Sequence, residues 1–159
     1  MDKADCPGCQ ARFDPIDGPT HAYLTVSPAC WARFGQALAL HFSDYRFWPA
    51  HQLLTDAYVL QHSRGQDPRA VRSAHIHLAA LYSQIGLGQP ETRVVALRQA
   101  LAGGDFQKPQ PRWPRASVTM ADVDLTSPAR HLASVRAFAQ AVLTDWKDHH
   151  ELAARLCAI

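Results

Sequence analysis

The chain has 159 residues, of which 47% are hydrophobic, 19% charged and 9% aromatic; this supports a buried core and excludes a disordered or collagen-like chain. Sixteen Lys and Arg against fourteen Asp and Glu leave a net charge of +2, too weak a field to argue for a nucleic-acid or anionic-membrane partner. The length falls short of the roughly 250 residues at which cores divide, so one domain over 1–159 is expected. Against this plain background stand nine His, four Trp, and three of the four Cys within the first thirty residues.

Residues 1–26 hold Pro7, Gly8, Pro15, Gly18 and Pro19 without helical periodicity and read as a knuckle of turns with little core of its own. Helix starts follow at Ser27-Pro28, Asp67-Pro68 and Ser127-Pro128, each a capping oxygen placed directly before a proline suited to the first helical position. The spacing predicts a first helix over 28–43, with Trp31, Phe34, Leu38 and His41 on one face. A second runs over 48–62 through Leu54, Ala57, Tyr58 and Gln61, and a third over 68–85 through Val71, Ala74, Leu78 and Leu81. A fourth, over 90–102, completes the 27–104 region and stops at Gly103-Gly104.

The 105–127 stretch spaces Pro109, Pro111 and Pro114 among basic residues, which favours an extended crossing anchored by Trp113. Thr119 and Asp122 suggest a single capped turn over 120–125. A last helix spans 128–157 with Val135, Val142, Trp146 and Ala153 along one stripe. No segment requires a sheet, so the expected class is all-α, a bundle of about five helices behind an N-terminal knuckle.

The start MDKADCPGCQ lacks an apolar leader, and no run approaches about eighteen apolar residues, so a cytoplasmic chain without a membrane span is expected. In a reducing compartment, closely spaced Cys are metal ligands or redox groups more often than disulfides. Cys6 and Cys9 form CPGC, a turn that aims two sulfurs at one cation; His21 follows after eleven residues and Cys30 after eight more. The spacing points to Zn2+ held by Cys6, Cys9, His21 and Cys30, with the thiolate of Cys30 favoured in the first turn of a helix. Four protein ligands would make that zinc structural. A redox CxxC, free buried thiols, and a Cys30 nucleophile with His21 as base are the competing readings, and Cys157 is the reserve fourth ligand.

In the second helix His51, Tyr58 and His62 share one angular sector; His75 and His77 flank the stripe of the third helix, and His149 and His150 lie along the last. Such rings suit a second metal or acid–base chemistry between helices, with His51, His62, His77, His149 and His150 as the catalytic candidates. The alternative is a set of core histidines hydrogen-bonded to carbonyls or carboxylates, the reading favoured for His41 and His131. Asp56 falls nearly opposite the His51 sector and is left out.

The segments CPGCQARF, DGPTHAY, SPACW, TDAYVLQH and WKDHH together resemble an uncharacterised bacterial family catalogued as a domain of unknown function, over most of the chain. The family pattern CPxCGAxF, DGPTHxY, SPxCW, VDAYxxQHP and a late HH pair maps onto Cys6, Cys9, His21, Cys30, His62, His149 and His150. Gln10 stands here for a Gly, Thr55 for a Val and Ser63 for a Pro. The resemblance implies that these Cys and His form sites and implies no reaction. Three functions follow as expectations: a zinc-binding helical protein, a metal-dependent or acid–base enzyme using the helix histidines, and an interaction or regulatory module in which the zinc knuckle and the Trp113 segment present a binding surface to a protein partner. A small-molecule ligand for the histidine cluster stays open.

Overall fold

The computed structural model describes residues 2–159. Two short antiparallel strands, β1 (Ala4–Asp5) and β2 (Arg12–Phe13), flank the CPGC turn, with Ala4 opposite Phe13 and Asp5 opposite Arg12. The rest is helical: α1 (Pro28–Ser43), α2 (His51–His62), α3 (Pro68–Leu81), α4 (Glu91–Gly103), α5 (Pro128–Asp145) and α6 (His150–Cys157). The all-α class therefore holds, with the two-residue strands as its one departure among the described residues. They arise because the backbone of Cys6 both donates to Ala11 O and accepts from Gln10 N, each at 2.8 Å, closing the turn into a hairpin.

Capping accounts for three helix starts. The side chains of Ser27, Asp67 and Ser127 accept from the backbone N–H of Cys30, Arg69 and Arg130, and each is followed by proline at the first helical position. The Thr119–Asp122 pair forms a reciprocal capping box around a 3₁₀ turn at Met120–Asp122.

Three predicted boundaries shift. A 3₁₀ turn over Tyr45–Ala50 precedes α2, which starts at His51. The third helix ends at Leu81 and passes into a widened turn over Tyr82–Gly86, where Leu87 N reaches back to Tyr82 O at 3.1 Å. The last helix is two, because the chain leaves α-helical geometry at buried Trp146 and makes a 3₁₀ turn over Lys147–His149 before α6.

Helix α2 is the centre of the packing. Leu54, Ala57, Tyr58, Leu60, Gln61 and His62 are all buried, because α3 and α5 lie against it and the knuckle covers its end. Phe34 of α1 stacks on Tyr58 with centroids 4.0 Å apart, and Phe138 and Val142 of α5 join the same core. A smaller cluster of Ala79, Leu101 and Leu156 joins α3, α4 and α6.

The proline-rich segment crosses this bundle in extended form. It is held by Gln61 donating to Val118 O at 2.8 Å, by Ser117 on Asp145, and by Trp113 edge-on to Trp146 at 5.4 Å. Trp113 is thus an anchor packed inward. No helix among the described residues is long and apolar enough to cross a membrane.

Candidate metal centre

The N-terminal hairpin, the first turn of α1 and the last residue of α2 meet at one point. There Cys6 Sγ, Cys9 Sγ, Cys30 Sγ and a ring nitrogen of His62 all lie within 4.8 Å of one another, and all four residues are buried. A tetrahedral zinc at ordinary bond lengths sets sulfurs about 3.8 Å apart and a sulfur about 3.6 Å from the imidazole nitrogen. Cys9 Sγ stands 4.0 Å from Cys30 Sγ, and Cys30 Sγ 3.5 Å from His62 Nε2, so the residues fit such an ion.

Each donor is positioned by local structure. The hairpin aims Cys6 and Cys9 inward, and the Ser27 cap on Cys30 N sets the first turn of α1. His62 Nδ1 donates to Tyr58 O at 2.7 Å, which fixes the proton on Nδ1 and leaves the Nε2 lone pair directed at the sulfurs. The Tyr58 hydroxyl lies 3.3 Å from Cys30 Sγ, a hydrogen bond suited to a thiolate.

The knuckle is also fastened to α2 by its backbone. Thr25 N donates to His62 O at 2.8 Å, and Arg64 donates to both Gly8 O and Pro114 O at 3.1 Å. Arg64 is therefore a cation beside a group of sulfurs.

The thiols constrain one another. Cys6 is held far below the ordinary thiol range, first by its hydrogen bond with Cys30 and then by Cys9, whereas Cys30 is pushed far up by Cys6, Cys9 and burial. For Cys9 the hydrogen bond with Cys30 lowers the pKa, but Cys6 and burial outweigh it and push the thiol up to about 12. One negative charge forms easily here, and three require a cation among them.

His21, the expected fourth ligand, stands outside this group. Its Nδ1 accepts from Tyr23 N and Leu24 N at 3.2 Å each, and its ring packs edge-on to Tyr23 and Trp31. It shapes the loop leading into α1, and His62 takes the fourth position. Cys157 is far along the chain in α6 and donates to Ala79 O at 3.3 Å.

The remaining candidate histidines do not converge. His51 and His62 share a sector of α2 but sit at its two ends, about 16 Å apart along the axis. His77 Nδ1 donates to Asp56 at 2.7 Å, His149 Nε2 accepts from Arg112 N at 3.1 Å, and His150 Nε2 donates to Leu143 O at 2.7 Å. The inter-helix site expected from His51, His62, His77, His149 and His150 is thus dispersed among separate partners.

Asp56, left out of the sequence reading, is a buried hub: His77 and Gln84 donate to it, and Arg98 grips both its oxygens. Its partners come from α3, the turn after it and α4. A buried acidic residue in the middle of a helix was the only signal.

No curated protein and no solved structure shows significant similarity to the chain. A family model described as a family of unknown function (DUF5946) matches residues 4–147, and the chain belongs to that family.

Proposed function

We propose that the protein is a small helical zinc-binding protein whose Cys6, Cys9, Cys30 and His62 hold one structural Zn2+. The observation that carries this reading is the meeting of three sulfurs and one correctly protonated imidazole, drawn from three separate segments, at tetrahedral spacing. Four protein ligands and complete burial leave no position for water or substrate, so the ion closes structure and does no chemistry.

Its task is physical. Residues 2–27 bury only the apolar side chains of Ala11, Leu24 and Val26 besides the two cysteines, with Phe13 and Tyr23 packed half-buried against the core, too little apolar area to order that many residues unaided. A zinc bound by three thiolates and a neutral imidazole carries one negative charge, and Arg64, bonded to Gly8 O, supplies the opposing charge. The test is the metal content of protein purified without chelator, together with Cys30→Ser. One zinc per chain in the wild type, and a variant that loses zinc and melts lower, are expected; a zinc-free wild type, or a variant with full zinc and unchanged melting, overturns the reading.

A further inference from the structure

Three histidines unconnected with the cysteine group form a chain at the opposite end of α2. His41 of α1, buried, stands between His51 at the start of α2 and His131 in the first turn of α5. Its Nδ1 lies 2.9 Å from Nδ1 of His51, and its Nε2 lies 2.7 Å from Nε2 of His131. Because His41 uses both ring nitrogens, which point in different directions, one cation cannot collect the three rings; these contacts are hydrogen bonds.

Their direction follows from one end. His131 Nδ1 lies 2.8 Å from the carbonyl oxygen of Asp124, which can only accept, so the proton sits on Nδ1 and Nε2 is the acceptor. His41 must then donate from Nε2 and accept at Nδ1, and His51 must donate from Nδ1. Burial keeps the rings neutral, with His41 lowered to about 4 by burial and then by its two neighbours, and with His51 and His131 lowered in the same direction. The chain therefore ends in an unprotonated Nε2 on His51, which has no hydrogen-bond partner among the described residues.

His51 lines a cleft of about 510 Å³. Trp48 stacks on the His51 ring at 4.3 Å and 11°, fixing its plane, and remains 42% exposed. Leu53 and Ile85 contribute apolar surface, Gln89 and Gln140 carboxamides, and Glu91 and Arg136 charges of opposite sign, so the lining is mixed and its two charged side chains balance. Concave space, an aromatic wall and a few directed polar groups make a small-molecule site.

We propose that this cleft binds an uncharged, planar small molecule bearing an N–H or O–H group, whose hydrogen is accepted by Nε2 of His51. Trp48 supplies the stacking wall, and His41 and His131 are positioning residues that set the His51 tautomer.

The test uses the protein labelled with ¹⁵N-histidine, with uracil as the probe and 1,3-dimethyluracil as its counterpart lacking N–H. In the free protein His51 and His131 are expected to carry the proton on Nδ1 and His41 on Nε2. Uracil shifts the His51 Nε2 resonance, and the dimethyl compound binds about tenfold more weakly, the effect of one lost hydrogen bond. His41→Phe releases the tautomer of His51 and weakens uracil binding, whereas Trp48→Ala weakens binding with the tautomers unchanged. A free His51 protonated on Nε2 overturns the proposal in the wild-type protein, without any variant. So does a His51 Nε2 signal unmoved by uracil, or moved equally by both compounds.

Discussion

Gly8 and His62 are packed so closely that a Cβ added to Gly8 would stand 2.6 Å from Cδ2 of the His62 ring and 2.0 Å from Thr25 O. The tip of the hairpin rests directly on His62 of the Cys6, Cys9, Cys30 and His62 group. Gly8→Ala is therefore expected to lift the knuckle off α2, destabilising the protein by about 3 kcal/mol and lowering Tm by roughly 6–12 °C. Gly35, inside α1 with nothing within 4 Å of its added Cβ, supplies the control. Gly35→Ala should raise stability by about 0.5–1 kcal/mol through helix propensity alone. Thermal unfolding of both variants checks the pair.

Gln10 closes the CPGC turn at φ 65°, in the left-handed region where a side chain is strained. Its carboxamide makes only long contacts of 3.4 Å to Pro7 O and Gly8 O. Gln10→Gly should relieve that strain and stabilise by up to about 1 kcal/mol, read as a higher urea midpoint. A lower midpoint would show that the side-chain contacts outweigh the backbone strain. The same geometry suits the Gly that the family resemblance leads one to expect at this position.

The carboxylate of Asp56 is buried and bonded by His77, Gln84 and Arg98. Removing it strands those donors, so Asp56→Ala should cost about 3–5 kcal/mol by chemical denaturation. The exposed Glu151–Arg155 pair is the contrast, and Glu151→Ala should cost no more than about 0.5 kcal/mol.

The histidine chain also makes stability depend on pH. Folding lowers His41 from 6.5 to about 4, first through burial and then through His131 and His51. Below pH 6.5 the unfolded chain takes up a proton that the folded chain refuses until about pH 4. The contribution of neutral His41 is thus present in full above that window and lost on acidification through it, amounting to about 3 kcal/mol. His51 and His131 add in the same direction. Urea midpoints measured between pH 7 and pH 4 should fall less steeply in His41→Phe than in the wild type; equal slopes would contradict the assignment.

Local signals in the sequence carried the helices, and distant packing determined the rest. Ser27, Asp67 and Ser127 could be read as caps because a capping oxygen and a following proline act within one turn. Cys6, Cys9 and Cys30 could be read as ligands because their chemistry and proximity are local. His21 looked equivalent by spacing, but its ring nitrogen is engaged by the backbone of its own loop. His62 reaches the site only because α2 docks its C-terminal end under the hairpin, a relation between residues more than thirty apart in sequence.

The angle of Asp56 to His51 on the helix says nothing of its partners, which lie on α3, the following turn and α4. His41 and His131 each resemble an ordinary core histidine in their own helix, and only the meeting of α1 with α5 joins them.

The central claim rests on which histidine completes the metal group, and zinc stoichiometry of two variants tests it most directly. Elemental analysis of His62→Ala and His21→Ala, purified in parallel with the wild type, should find one zinc per chain in the wild type and in His21→Ala, and little or none in His62→Ala. Zinc retained by His62→Ala and lost from His21→Ala would contradict the account, as would a wild-type protein that binds none.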